Sequence, residues 1–233
     1  VGFSEIRSDF GVRRSAKSCC LTQGMEFKLP MQYYETFDSG AGERWTIRSV
    51  DADARVSVRN LENLIGADGT SAEFLAGGNT TSLVFDSRPD ATDSGNDLGL
   101  AIWSVDLSNF DSAILTFHHL EYEDANDELA GRHSTTARGD GVAISVNGTD
   151  WYRLRDMEGE TLNRSGDGLW ELVEIDLSAE IERINKLYPT ANLSLSDDVL
   201  LLWSYHHPRP SPDDGGAISE FRIEAAPATF TPD

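Results

Sequence analysis

Residues 139–154 restrict the fold more tightly than any other stretch of this chain. Alternation through Val142-Ala143-Ile144-Ser145-Val146 runs into Asn147-Gly148. That pair suits the φ > 0 positions of a tight hairpin turn, and a second strand follows at once. Trp151 and Tyr152 stand just past the turn, where aromatic rings clamp a hairpin against its neighbours. No catalytic signature accompanies the motif.

The same pattern recurs from residue 33 onward. Short alternating or apolar runs are read as strands at Tyr33 to Asp38, Trp45 to Val50, Arg55 to Arg59, Thr81 to Asp86 and Leu98 to Leu107. Further runs follow at Ala113 to Glu123, the hairpin of 141–155, Trp170 to Leu177, Leu200 to His206 and Ala217 to Ala225. In the run from Ala113, Ile114, Thr116, His118 and Leu120 share one face, and Leu115, Phe117, His119 and Glu121 the other. About ten strands separated by Gly, Asp, Asn and Ser turns predict an all-β sandwich of two antiparallel sheets. One short helix is expected, capped by Ser178, with Ile181, Ile184 and Leu187 on one face and Pro189 ending it.

Charge narrows the partners. The 233 residues carry 40 acidic against 19 basic side chains, a net −21. Such a field repels phosphate backbones and anionic membrane surfaces, which argues against nucleic acid. No apolar run approaches the ~18–20 residues needed to span a bilayer, so membrane insertion is not expected. Residues 1–33 are different in character. Their five basic and three acidic residues make them +2, leaving −23 for the rest. Residues 1–32 are read as a leader or linker, 33–226 as the sandwich domain and 227–233 as a tail. The two cysteines, Cys19 and Cys20, are adjacent within the leader and would not staple the domain.

The order of short motifs resembles a jelly-roll module of the MAM/reelin-like, concanavalin-like kind found in large secreted or surface proteins of bacteria. The matching residues begin with Glu35-Thr36-Phe37-Asp38, Trp45 and Ser82-Leu83-Val84-Phe85-Asp86. Val105-Asp106-Leu107-Ser108, Leu115-Thr116-Phe117-His118-His119 and Asp127-Glu128 follow. Gly139 through Ser145, Trp151-Tyr152, Trp170 with Ile175-Asp176-Leu177-Ser178, and Asp214 through Ile218 complete the set. The resemblance spans roughly 33 to 225. It implies a jelly roll, a role in adhesion or glycan contact, and a place within a longer chain. Ser219 stands where such modules often carry Asp, which weakens any cation site built on that position.

Four groups of residues are candidates for chemistry. Carboxylates gather at Glu121, Glu123, Asp124, Asp127 and Glu128, with Asp140 on the later Gly-Asp-Gly turn. Ca²⁺ takes six to eight oxygens, and acidic loops supply them; solvated surface charge is the plain alternative. A second calcium arrangement rests on the first and last strands lying side by side. That would bring Glu35 or Asp38 to Asp213, Asp214 or Glu220. Glu121 and Glu123, two apart on one strand face, could approach the ~5–5.5 Å of a retaining glycosidase pair. Their surroundings, however, lack the Glu-x-Asp-x-x-Glu order of jelly-roll glucanases.

The histidine pairs His118-His119 and His206-His207 each point to opposite faces, so neither pair forms a metal site alone. His133 could supply a third nitrogen, but no His-Glu-x-x-His motif supports zinc. Among the aromatics, Trp103, Trp170 and Trp203 sit in apolar strand patterns and read as core. Trp151, Tyr152 and Arg153 are the better candidates for an exposed ligand surface. The function expected is a non-catalytic binding or adhesion module of a secreted or surface protein, with a glycan or surface protein as ligand. The competing class is a glycan-active enzyme.

Overall fold

The computed structural model describes residues 31–52, 54–60, 81–87, 97–108, 110–122, 128–157, 171–195, 198–207 and 215–227. The strands are β1 (Met31–Glu35), β2 (Trp45–Ser49), β3 (Ala54–Asn60), β4 (Thr81–Ser87), β5 (Asp97–Asp106) and β6 (Phe110–Tyr122). They continue as β7 (Arg132–His133), β8 (Gly141–Ser145), β9 (Trp151–Asp156), β10 (Glu171–Asp176), β11 (Asp198–His207) and β12 (Gly215–Pro227), with helix α1 (Leu177–Leu187) between β10 and β11. Residues 1–30, with both cysteines, lie outside the described residues, as do Trp170, Glu123, Asp124, Asp127, Asp213 and Asp214.

Two six-stranded antiparallel sheets pack face to face. The first runs β10-β6-β12-β4-β3, with β1 also on β12; the second runs β2-β5-β11-β8-β9-β7. The expected all-β jelly-roll sandwich with one short helix is the architecture found. Alternation sets which face is inward. Ala113, Leu115 and Phe117 of β6 enter the core, while Ile114, Thr116 and His118 point away. From the second sheet come Trp45, Trp103, Val105, Leu201, Trp203 and Tyr205. Trp45 stacks on Trp103 with ring centroids 5.4 Å apart.

Three local expectations need correction. The hairpin turn is longer than Asn147-Gly148 alone, because β8 ends at Ser145 and β9 starts at Trp151. Ser145 Oγ accepts from the backbone N–H groups of Asn147 and Gly148, and Asn147 Oδ1 accepts from those of Thr149 and Asp150. These side-chain bonds satisfy the loop backbone, so only Gly148 needs a positive φ, at 70°. The helix cap is Asp176, whose Oδ1 accepts from Ser178 N and Ala179 N at 3.0 Å. Ser178 lies inside the first turn, and its Oγ accepts instead from Ala113 N at 3.2 Å, tying the helix to β6. Ile181 and Ile184 are buried as expected, but Leu187 is exposed at the helix end.

The third correction concerns β12, which is not one uninterrupted alternation. The register slips between Ser219 and Arg222, and Glu220 adopts φ 53°. A bulge of one residue reverses the parity of a strand. Ile218 before it and Phe221, Ile223 and Ala225 after it therefore all face the core.

Candidate functional site

The two sheets differ in what covers their outer faces. The second sheet carries a second apolar cluster on its outer side: Leu98, Leu100, Ala143, Trp151 and Leu202, joined by Leu129. Residues 128–140 form a strap over it. β7 pairs with β9, and Glu128 and Asp140 bridge the strap's two ends. Ser204 Oγ donates to Gly139 O at 2.8 Å, and His206 N donates to Asp140 Oδ1 at 2.5 Å. Trp151 Nε1 donates to Thr135 Oγ1 at 2.8 Å.

The Gly-Asp-Gly motif is explained by this crossing. A Cβ on Gly139, at φ 137°, would lie 2.7 Å from Leu129 Cα and 2.9 Å from Glu128 O; one on Gly141 would lie 2.8 Å from Arg155 O. Gly139→Ala is expected to destabilise the fold by about 2 kcal/mol, through backbone strain and overpacking. It should also speed amide exchange across 128–140 before the rest of the domain. Unchanged denaturation and exchange would show that the strap is not pinned there.

Several expected site residues therefore belong to the strap's anchoring. Trp151 is 0% and Tyr152 3% exposed, which corrects the expectation of open rings. The strap covers Trp151 on one face of the sheet, and Tyr152 enters the main core on the other. Arg153 donates to Glu128 and to Leu129 O, and its Nη1 lies 3.5 Å from Asp156. Asp140 is buried at the strap's end rather than displayed on a turn. The glycosidase pair is not described as a pair: Glu121 lies in β6 opposite Gly216, and Glu123 is outside the described residues.

The first and last strands do lie side by side, with Glu35 opposite Phe221. Glu220 directly precedes Phe221 on β12, and Asp38 lies three residues beyond the end of β1. Glu35 Oε1 accepts from Phe37 N at 2.9 Å, Asp38 Oδ2 accepts from Thr36 Oγ1 at 2.9 Å, and Glu220 Oε2 sits 3.1 Å from His118 Nδ1. The Tyr34 hydroxyl is raised above its ordinary pKa by partial burial first, then by the charges of Glu220 and Asp38. Among the described residues no three His, Cys, Asp or Glu side chains are gathered to hold a metal ion.

Among the described residues, no such strap crosses the outer face of the first sheet from β10 to β1. Leu172 lies opposite His118; Glu174, Thr116, Arg222 and Tyr34 form one row; Asp176, Ile114, Glu224 and Gln32 form the next. Tyr34 and Leu172 are each 63% exposed. Three strand spacings of ~4.8 Å make this platform ~14 Å wide. Its polar groups are held by one another. Arg222 pairs with Glu224, which also accepts from Gln32 Nε2 at 3.4 Å. Sequence alternation had placed Ile114, Thr116 and His118 on one face. Tyr34 and Leu172 join that face only through strand pairing, which alternation within one strand does not reveal.

Among the described residues no helix is long and apolar enough to cross a membrane. No family model matches the chain, and no curated protein matches it. Solved structures similar to it include the K1 cleaved adhesin domain of Lys-gingipain from Porphyromonas gingivalis W83. That match has 16% identity and a TM-score of 0.43, covering 84% of this chain and 99% of that one. The family 11 carbohydrate-binding module of the Clostridium thermocellum cellulase Lic26A-Cel5E matches at 12% identity and a TM-score of 0.42, covering 86% and 98%. The enzymatically active domain of bacteriophage CBA120 tailspike protein 4 matches at 10% identity and a TM-score of 0.42, covering 82% of this chain and 20% of that one. These likenesses are loose and join both binding domains and an enzyme. They do not show the resemblance to MAM or reelin modules.

Proposed function

We propose that this chain is a non-catalytic binding module of a secreted or surface protein, part of a longer chain, that holds a glycan on the outer face of the first sheet. The observation that carries the reading is the contrast between the two outer faces. One has its apolar cluster around Trp151 covered by its own strap, while the other leaves Tyr34, Leu172 and Ile114 open beside hydrogen-bonding groups. A sugar's apolar face packs on an exposed ring, and its hydroxyls are met by Glu, Gln, Arg and His side chains.

Glycan-array binding should weaken about tenfold or more in Tyr34→Ala, a change of ~1.4 kcal/mol, with the melting temperature unchanged. Binding that survives both Tyr34→Ala and Leu172→Ala would move the site elsewhere. Turnover of the same glycans, abolished by Glu121→Gln or Glu123→Gln, would replace this reading with an enzymatic one. Calcium held between Glu35 or Asp38 and Glu220 is a separate proposal, which would also need further oxygen ligands. Millimolar Ca²⁺ should then raise the melting temperature by several degrees, and chelator should reverse it. Identical curves would leave these acids as surface charge.

A further inference from the structure

On the edge strand β3, Arg55, Ser57 and Arg59 alternate onto one face, and Asp86 lies opposite Arg55 on β4. Both guanidiniums converge on that single carboxylate. Arg55 donates through Nε at 2.8 Å and Nη2 at 2.6 Å, and Arg59 through Nη1 at 2.8 Å and Nη2 at 2.7 Å. Arg59 is opposite Ser82, so its side chain must run back along the sheet to reach Asp86; Nε donates to Ser57 Oγ at 2.8 Å on the way. All three charged side chains are partly or mostly shielded, Asp86 the most.

Two features of this cluster define what would bind it. Its formal charge is +1, in a chain whose acids outnumber its bases by two to one. Asp86 also has its acceptor positions filled, because each oxygen already receives two N–H groups. Each guanidinium carries five N–H donors, of which Arg55 uses two and Arg59 three within the cluster. Among the described residues, the face offered to an incoming group therefore holds positively charged donors, and Asp86 has no spare acceptor position. A neutral sugar hydroxyl could accept from these donors only through its single oxygen. An oxyanion would gain charge-assisted, fork-shaped hydrogen bonds. The net negative field opposes it only weakly, since screening at physiological salt limits that field to ~8 Å.

The geometry points to an oxyanion subsite at Arg55 and Arg59 that takes a carboxylate or sulfate group of an acidic glycan. This rests on the glycan reading above and deepens it, because it assigns the ligand a negative charge. The test is calorimetric titration of the full chain with sodium sulfate and, separately, sodium glucuronate, at constant ionic strength held with chloride. Arg59→Gln and Arg55→Gln are compared with Arg183→Gln, an exposed helix arginine paired with Glu180. Arg59→Lys keeps the charge without the fork and serves if the glutamine variants fail to fold.

Binding of at least one of the two anions is expected in the parent and in Arg183→Gln, weakened tenfold or more in Arg59→Gln or Arg59→Lys. The stronger of the two names the group, sulfate ester or uronate. Equal affinity across all variants, or no heat with either anion in the parent, would overturn the subsite. Neutral-glycan binding lost in Tyr34→Ala, together with anion affinity unchanged in Arg59→Gln and Arg55→Gln, would leave the platform standing while removing the anion subsite.

Discussion

Phe221→Ala is expected to lower the unfolding free energy by about 3–5 kcal/mol, the range for a buried aromatic ring cut back to a methyl group. The ring is fully buried, and five others surround it. Its centroid lies 4.8 Å from Trp203, 4.9 Å from Trp45, 5.4 Å from Phe37, 5.7 Å from Phe117 and 6.0 Å from Trp103. Those partners come from both sheets and from the turn after β1, so the ring joins the layers where β1 and β12 lie side by side. Rigid aromatic neighbours collapse poorly into a cavity, which places the loss toward the upper end of the range. Against a total stability of roughly 5–15 kcal/mol, the variant would be marginal at 37 °C. Urea unfolding of Phe221→Ala and Phe221→Leu measures this, with Leu172→Ala as a surface control expected within ~0.5 kcal/mol of the parent. A loss below ~1 kcal/mol for Phe221→Ala would mean the cluster is not the keystone of the core.

Acid is expected to weaken the fold through His119. Its side chain faces inward from β6 with its ring 6.0 Å from Tyr205, and burial lowers its pKa to about 3. At neutral pH the imidazole is uncharged in both the folded and the unfolded chain. Below the ordinary value of 6.5 the unfolded chain takes up a proton that the folded one refuses. Stability from this group is therefore complete above that pH and is lost as pH falls toward 3, by up to ~1.4 kcal/mol per pH unit. Between pH 7 and pH 5 the loss should reach about 2 kcal/mol. His133 shifts in the same direction, mainly through burial, and adds to the slope. His119→Met removes the titration while filling similar space, and His119 Nε2 has no hydrogen-bond partner to lose. Denaturation midpoints at pH 7, 6 and 5 should fall less steeply in that variant. Parallel profiles in parent and variant would show that the folded protein tolerates the charged ring.

The platform was only half legible in the sequence. Period-two alternation exposed the inward and outward faces of β6, because side-chain direction along an extended strand is a local property. The same locality misled at Trp151 and Tyr152. Their position beside a turn suggested open rings, yet a strap from earlier in the chain covers one, and the opposite sheet covers the other.

By itself the sequence determined the elements that depend on near neighbours: the strands, the helix that Pro189 ends, the inward tryptophans of β5 and β11, and the acidic balance. Only the tertiary structure decided how these were joined. The bulge at Glu220 is the clearest case, because Ile218 and Phe221 cannot share a face of an unbroken strand. β12 resolves that conflict by pairing with β4 before the bulge and with β1 after it. Which outer face stays open, and which two arginines meet one aspartate, likewise follow from pairings between residues far apart in the chain. Such pairings are selected by the packing of the whole core, and local residue preference carries no record of them.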